Sequence, residues 1–141
     1  MKKIFFLLLT FVIANVQSQT PLSTADNDQL AQKCFSFQPL IDKIPDEIQG
    51  MMTEYFILGN NNELNFSQNL IVNGKSISFL SKSDLSPTKP YFIFFTMNVE
   101  NDKAFVRYYF NYTTNGIETT IPITIDFIKI NSVWQVLQHT I

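Results

Sequence analysis

From Tyr91 to the C-terminus, apolar and polar positions alternate with a period of two, and no other stretch of the chain is as regular. Alternation of this kind marks strands with one buried face. Turn pairs interrupt it at Asn101-Asp102, Asn115-Gly116 and Asn131-Ser132, so the segment predicts a four-stranded antiparallel meander. With Asn101-Asp102 as a two-residue turn, Glu100 faces Lys103, an opposite-charge pair. The same register sets Val99 against Ala104, Met97 against Val106, Phe95 against Tyr108, Ile93 against Phe110 and Tyr91 against Tyr112. The second turn sets Ala104 against Phe127, Val106 against Ile125, Tyr108 against Ile123 and Phe110 against Ile121. The third places Phe127 beside Val136 and Lys129 beside Trp134. One face is thereby apolar across the meander, and a slip of one residue would turn every one of these side chains outward.

Upstream the period changes. Ser23 or Thr24 caps a helix with Asp26 and Asp28 in its first turn, where the helix dipole favours negative charge. Leu30, Cys34 and Phe37 follow at spacings of four and three. A second, main helix is expected from Pro45, with Asp46 and Glu47 in its first turn, through Ile48, Met51, Met52, Tyr55 and Phe56. Gly59 and Asn60-Asn61-Asn62 end it. Leu64 to Val72 and Lys75 to Ser81 then form a hairpin around Asn73-Gly74, and Ser83 to Pro90 is a loop. Helices first and a meander afterwards predict one α+β domain, with N-terminal helices packed on a curved antiparallel sheet.

The opposite face of the meander carries Phe92, Phe94, Phe105 and Tyr109, with Ile128 and Leu137 further along and Arg107, Thr124 and Asp126 among them. A solvated sheet face is mostly polar. This composition predicts that the face is covered, either by the hairpin at 64–81 or by another molecule. Phe92, Phe94, Phe105, Arg107 and Tyr109 are therefore candidate interface residues, with a homodimer through the sheet as one form of it. Arg107 and Asp126 are diagonal neighbours and an ion pair is expected between them.

The first eighteen residues read as an export leader. Lys2 and Lys3 precede an apolar run from Ile4 to Ala14, and Val16-Gln17-Ser18 offers a cleavage site. The run is shorter than the roughly 20 residues that cross a bilayer. The expected organisation is residues 1–18 as signal peptide and 19–141 as the domain, periplasmic or secreted, with no membrane span after cleavage. Loss of Lys2 and Lys3 leaves eight Lys and Arg against twelve Asp and Glu, a net charge of −4. That charge, with Arg107 the only arginine, excludes general nucleic-acid binding. One Cys and one His exclude most zinc sites, and no cofactor is expected. Cys34 has no partner for an internal disulfide and reads as a buried small hydrophobe.

The closing stretch from Ile125 to Val136 resembles the final hairpin of nuclear transport factor 2-like proteins, a cystatin-like α+β superfamily with a Phe-x-Lys-x-(Asn/Asp)-Gly-x-Trp-x-Val run. Phe127, Lys129, Asn131, Trp134 and Val136 match it, and Ser132 stands where glycine is usual. The resemblance covers about a third of the chain. It implies a curved sheet wrapped around helices, often a dimer through the sheet, and often a conical pocket. The superfamily holds isomerases, dehydratases and non-catalytic members, so the fold alone assigns no function.

The residues themselves decide between these. The inner face offers Tyr91, Tyr108 and Tyr112 with Tyr55 from the helix and Trp134 from the last strand, a candidate ligand pocket for a small apolar molecule. It offers no Asp, Glu or His, and proton transfer needs a titratable group in reach of the substrate. Tyr108 is the most central hydroxyl. His139 is placed on the face opposite Trp134, at the surface. Asp26-Asn27-Asp28 begins like a calcium loop but lacks its glycine and closing glutamate. Asn65-Phe66-Ser67 and Asn111-Tyr112-Thr113 match the glycosylation pattern. The reading is an exported, non-enzymatic domain that binds a protein or small ligand. A pocket enzyme of the isomerase or dehydratase type, and an inhibitor or immunity-type protein, are the alternatives.

Overall fold

Ser23 opens the first helix as the sequence predicts: its hydroxyl accepts from the Asp26 N–H at 3.1 Å. The computed structural model describes residues 23–141, and the leader at 1–18 lies outside them. Helix α1 spans Thr24–Phe35 and buries Leu30, Ala31, Cys34 and Phe35 along one stripe. Short helices α2 (Gln38–Ile41) and α3 (Asp46–Met51) follow. Strand β1 (Tyr55–Leu58), helix α4 (Asn61–Leu64), strand β2 (Ile71–Val72) and strand β3 (Lys75–Leu80) complete the first half. The second half is β4 (Tyr91–Glu100), β5 (Lys103–Thr114), β6 (Ile117–Ile130) and β7 (Val133–Thr140). The strands form one sheet in the order β2-β3-β1-β4-β5-β6-β7. It is curved and mostly antiparallel, and the N-terminal helices pack on one face of it, so the chain is α+β.

The main helix expected from Pro45 to Phe56 is much shorter. Pro45 is the N-cap residue, and α3 ends at Met51. Tyr55 and Phe56 belong to β1, which lies mid-sheet between β3 and β4 and runs parallel to both. A four-residue apolar run fits a buried strand as well as a helix turn, and two strand neighbours decide the matter here. The asparagine run read as a helix end instead starts α4: the Asn60 side chain accepts from the Asn62 N–H at 2.9 Å. Asn65 closes that helix in the left-handed conformation at φ 51°. The hairpin at Asn73-Gly74 is present, with Val72 opposite Lys75, but its first arm is only two residues long. It joins the sheet through β3 beside β1 and does not fold over the outer face.

The meander forms around all three expected turns. Every predicted pair between β5 and β6 is observed, from Ala104–Phe127 to Phe110–Ile121. Asn115, Asn131 and Ser132 adopt positive φ, as the tight turns require. Between β4 and β5 the register holds from Glu100–Lys103 to Met97–Val106, then shifts at a bulge between Phe94 and Thr96. Below it Phe94 faces Tyr108 and Phe92 faces Phe110, in place of the expected Phe95 and Ile93. A second bulge, between Asp126 and Phe127 on β6, leaves Leu137 as the extra residue on β7. The core lies between α1 and the inner face, where Trp134, Tyr108, Phe92, Phe110 and Phe127 are all fully buried. Each such side chain stabilises the fold by roughly 1.5–3 kcal/mol.

Candidate functional site

One extra residue in β4 decides which aromatics meet solvent. An inserted residue reverses the side-chain alternation on one side of the bulge. Phe92 is 1% exposed, within 4.9 Å of the Phe35 ring and 4.8 Å of Phe110. Phe94 stacks on Tyr108 at 5.0 Å and an interplanar angle of 16°. Both were expected on the outer face, and both face the core. Phe95, expected inside, is 54% exposed and packs edge-on against Tyr109 at 4.5 Å. Phe105, Arg107 and Tyr109 do lie on the outer face, together with the exposed Leu137. The expected Arg107–Asp126 ion pair is not formed. Arg107 sits 5.6 Å from the Phe105 ring centroid, and Asp126 Oδ2 accepts from the Gln138 amide.

The five candidate pocket side chains part company. Tyr108 is sealed, and its hydroxyl donates to the Cys34 carbonyl at 3.0 Å. Burial, with a smaller contribution from Cys34, pushes its phenol well above the ordinary value. Burial likewise pushes the Cys34 thiol up, as expected of a small hydrophobe. Trp134 is fully buried, with its indole N–H directed at Asp26. Tyr112 is partly buried, its ring 5.7 Å from Phe110. Tyr91 pairs with Asn111 on the outer face, one consequence of the bulge. Partial burial and the Glu118 carboxylate raise its phenol pKa. Tyr55 alone of the five lines the cleft described below.

Asp26 joins the two ends of the chain. Its Oδ1 accepts from Lys129 Nζ at 2.6 Å and from Trp134 Nε1 at 2.9 Å, and its Oδ2 from the Ser23 hydroxyl at 2.9 Å. Partial burial works to raise this carboxyl, but the bonds from Lys129, Trp134 and Ser23 outweigh it and hold the pKa below the usual carboxylate value. The calcium-like trio is thus committed elsewhere: Asn27 donates to the Leu64 carbonyl at 2.7 Å, and Asp28 accepts from the Ser67 N–H at 2.9 Å. His139 is exposed, as expected, but on the other face. The β7 bulge turns it onto Trp134's face, opposite Ile125, where its ring meets Phe37 at 5.0 Å. Of the two glycosylation patterns, Asn111 is 4% exposed and its Oδ1 accepts from Thr120 at 2.6 Å, so it has no room for a sugar.

A cleft of about 190 Å³ opens between the α2–α3 segment and the turn joining β2 to β3. Leu40, Ile44, Met52 and Phe92 supply its apolar walls, and Tyr55, Asn73 and Lys75 its polar side. Gln49 braces the helical wall, donating to the Ile41 carbonyl at 3.1 Å and the Ile44 carbonyl at 2.8 Å. Asn73 Nδ2 donates to Ser36 Oγ at 3.0 Å and to Tyr55 Oη at 3.3 Å. Asn73 holds this position because the turn sets it at φ 52°. Lys75 Nζ lies 5.4 Å from the Tyr55 ring centroid. The sequence places Phe95, Asn73 and Lys75 in strands and a turn but marks none of them as a site residue. Asn73-Gly74 was the one available signal for the last two, since a tight turn fixes both of its flanks. In comparisons with protein-family models, curated proteins and solved structures, the chain matches none.

Proposed function

We propose that the protein is an exported, non-enzymatic binding domain that associates with a second copy of itself through the outer face of its sheet. The observation that carries this reading is Phe95, held outward by the bulge at 54% exposure and packed on Tyr109. Leu137, 58% exposed at the second bulge, adds a further apolar side chain beside Phe105. Contiguous apolar surface on regular strands is costly in water unless something covers it. A second copy suits it because the same face mixes cations and acids. Lys103 and Arg107 lie among Glu100 and Asp126, so a twofold axis brings each copy's cations toward the other's acids. The closing hairpin, with Phe127, Lys129, Trp134 and Val136, favours a relation to nuclear transport factor 2-like proteins, in which dimers through the sheet are common. The basic and apolar leader supports export to the periplasm or the medium. The sealed Tyr108 hydroxyl, already committed to the Cys34 carbonyl, weighs toward binding over pocket catalysis.

Light scattering across a dilution series tests this on the wild type and on a Phe95→Ser, Tyr109→Ser double variant. The wild type is expected at twice the chain mass when concentrated and to dissociate on dilution. The double variant is expected at the mass of one chain with unchanged circular dichroism. A wild type that stays monomeric throughout would end the self-association reading. A dimer that survives both substitutions would move the interface off this face.

A further inference from the structure

The cleft between α2–α3 and the β2–β3 turn lies on the side of the sheet that the helices cover and is independent of the outer face. Its chemistry is divided. Leu40, Ile44, Met52 and Phe92 are buried apolar side chains on one side. On the other, Lys75 is a partly buried cation at the edge of an apolar cavity. Among the described residues the one ion pair within 4.0 Å is Lys129–Asp26, so Lys75 has no carboxylate at that distance. Glu54, just before the neighbouring strand β1, does not supply one. It accepts from Ser76 Oγ at 3.2 Å and Ser78 Oγ at 2.8 Å. Those serines alternate with Lys75 along β3 and point to its other face. Tyr55 adds a donor: its oxygen accepts from Asn73, which leaves its own hydrogen to give.

We infer that this cleft binds a small monocarboxylate with a compact apolar body. The apolar part lies against Leu40, Ile44, Met52 and Phe92, and the carboxylate accepts from the Lys75 ammonium and the Tyr55 hydroxyl. The Lys75 ammonium has the Tyr55 ring face but no carboxylate beside it, and a ligand carboxylate would add charge-assisted hydrogen bonds. The volume sets the size. An apolar cavity of about 150 Å³ holds benzene, so about 190 Å³ takes an apolar body of roughly seven or eight carbons, with the carboxylate at the rim.

Calorimetric titration of the purified chain with octanoate, and with octan-1-ol as its neutral counterpart, tests the assignment. Octanoate is expected to bind at one site, and octan-1-ol about tenfold more weakly. Lys75→Met is expected to weaken octanoate about tenfold and leave octan-1-ol unchanged. Lys75 is at the rim, so this variant should fold normally. Equal affinity for acid and alcohol, no saturable octanoate binding, or an unaltered octanoate affinity in Lys75→Met would each overturn the proposal. Loss of octanoate binding in the Phe95→Ser, Tyr109→Ser variant would overturn it too, by moving the ligand to the outer face.

Discussion

The C-terminal meander and the N-terminal half of this chain are built from similar residues, yet they obey different rules. In the meander every strand pairs with its neighbour in sequence across a two-residue turn. The turn fixes register, and register fixes which side chains are buried. In the N-terminal half, β1 lies between β3 and β4, parallel to both. Such pairs are joined by long crossovers rather than tight turns, so nothing local announces them. The meander is thus specified by neighbours in sequence and the first half, its β2–β3 hairpin apart, by neighbours in space. Where the meander itself departs from expectation, at Phe95 and Leu137, the cause is a bulge, the one device that breaks its local rule.

The sharpest way to break this comparison lies across the β4 bulge. Phe92→Ala removes a fully buried ring packed on Phe35 and Phe110, and an expected loss of about 3–5 kcal/mol follows from the cavity left behind. Phe95→Ala removes a ring that is more than half exposed, with a change within about 0.5 kcal/mol. Urea unfolding midpoints compare the two. The uninterrupted alternation read from the sequence requires the opposite order, so a costly Phe95→Ala beside a mild Phe92→Ala would mean that the bulge is misplaced.

What was legible follows from the same physics. The α+β class, the Ser23 cap, the Asn73-Gly74 turn and the β5–β6 register all rest on local signals, and all are present. Tyr55 was read as helical because Met51, Met52, Tyr55 and Phe56 keep a helical spacing, while its strand partner Ile77 and Phe56's partner Tyr91 are distant in sequence. Tyr91 and Tyr108 part for a related reason: their grouping assumed a shared face, and one inserted residue separates them. The cleft that does exist combines α2, α3, β1 and the β2–β3 turn, a juxtaposition that no periodicity encodes.

An intermediate effect tests how the halves are joined. Asp26, at the start of α1, holds Lys129 and Trp134 from the last hairpin. Its pKa is lowered in the folded state. Its contribution is therefore fully present above the unfolded Asp value, near 4, and is lost as pH falls through the lower folded value. Asp26→Asn keeps the shape and removes the charge. The expected loss at pH 7 is roughly 1–2 kcal/mol, since the pair is only partly buried. Urea unfolding at pH 7 and again below pH 3 should show the difference between variant and wild type shrinking in acid. A difference that stays constant would mean that Asp26 acts by shape rather than charge.

The smallest effect concerns the third turn of the meander, and its sign is opposite. Asn131 and Ser132 both sit at positive φ, 50° and 64°, the geometry of the hairpin turn whose second position favours glycine. The Asn73-Gly74 and Asn115-Gly116 turns already have it, at φ 73° and 76° for the glycines. Serine in the left-handed region carries a steric cost of about 1–2 kcal/mol, and glycine carries an entropic one that cancels part of the relief. Ser132→Gly is therefore expected to stabilise the protein by roughly 0.5–1 kcal/mol, read as a melting temperature raised by about 2–5 °C. Gly116→Ala, the reverse change at an equivalent position, should lose a similar amount. If Ser132→Gly instead lowered the melting temperature, the serine would be supplying something other than the turn, and local turn chemistry would no longer suffice to explain the register of β6 and β7.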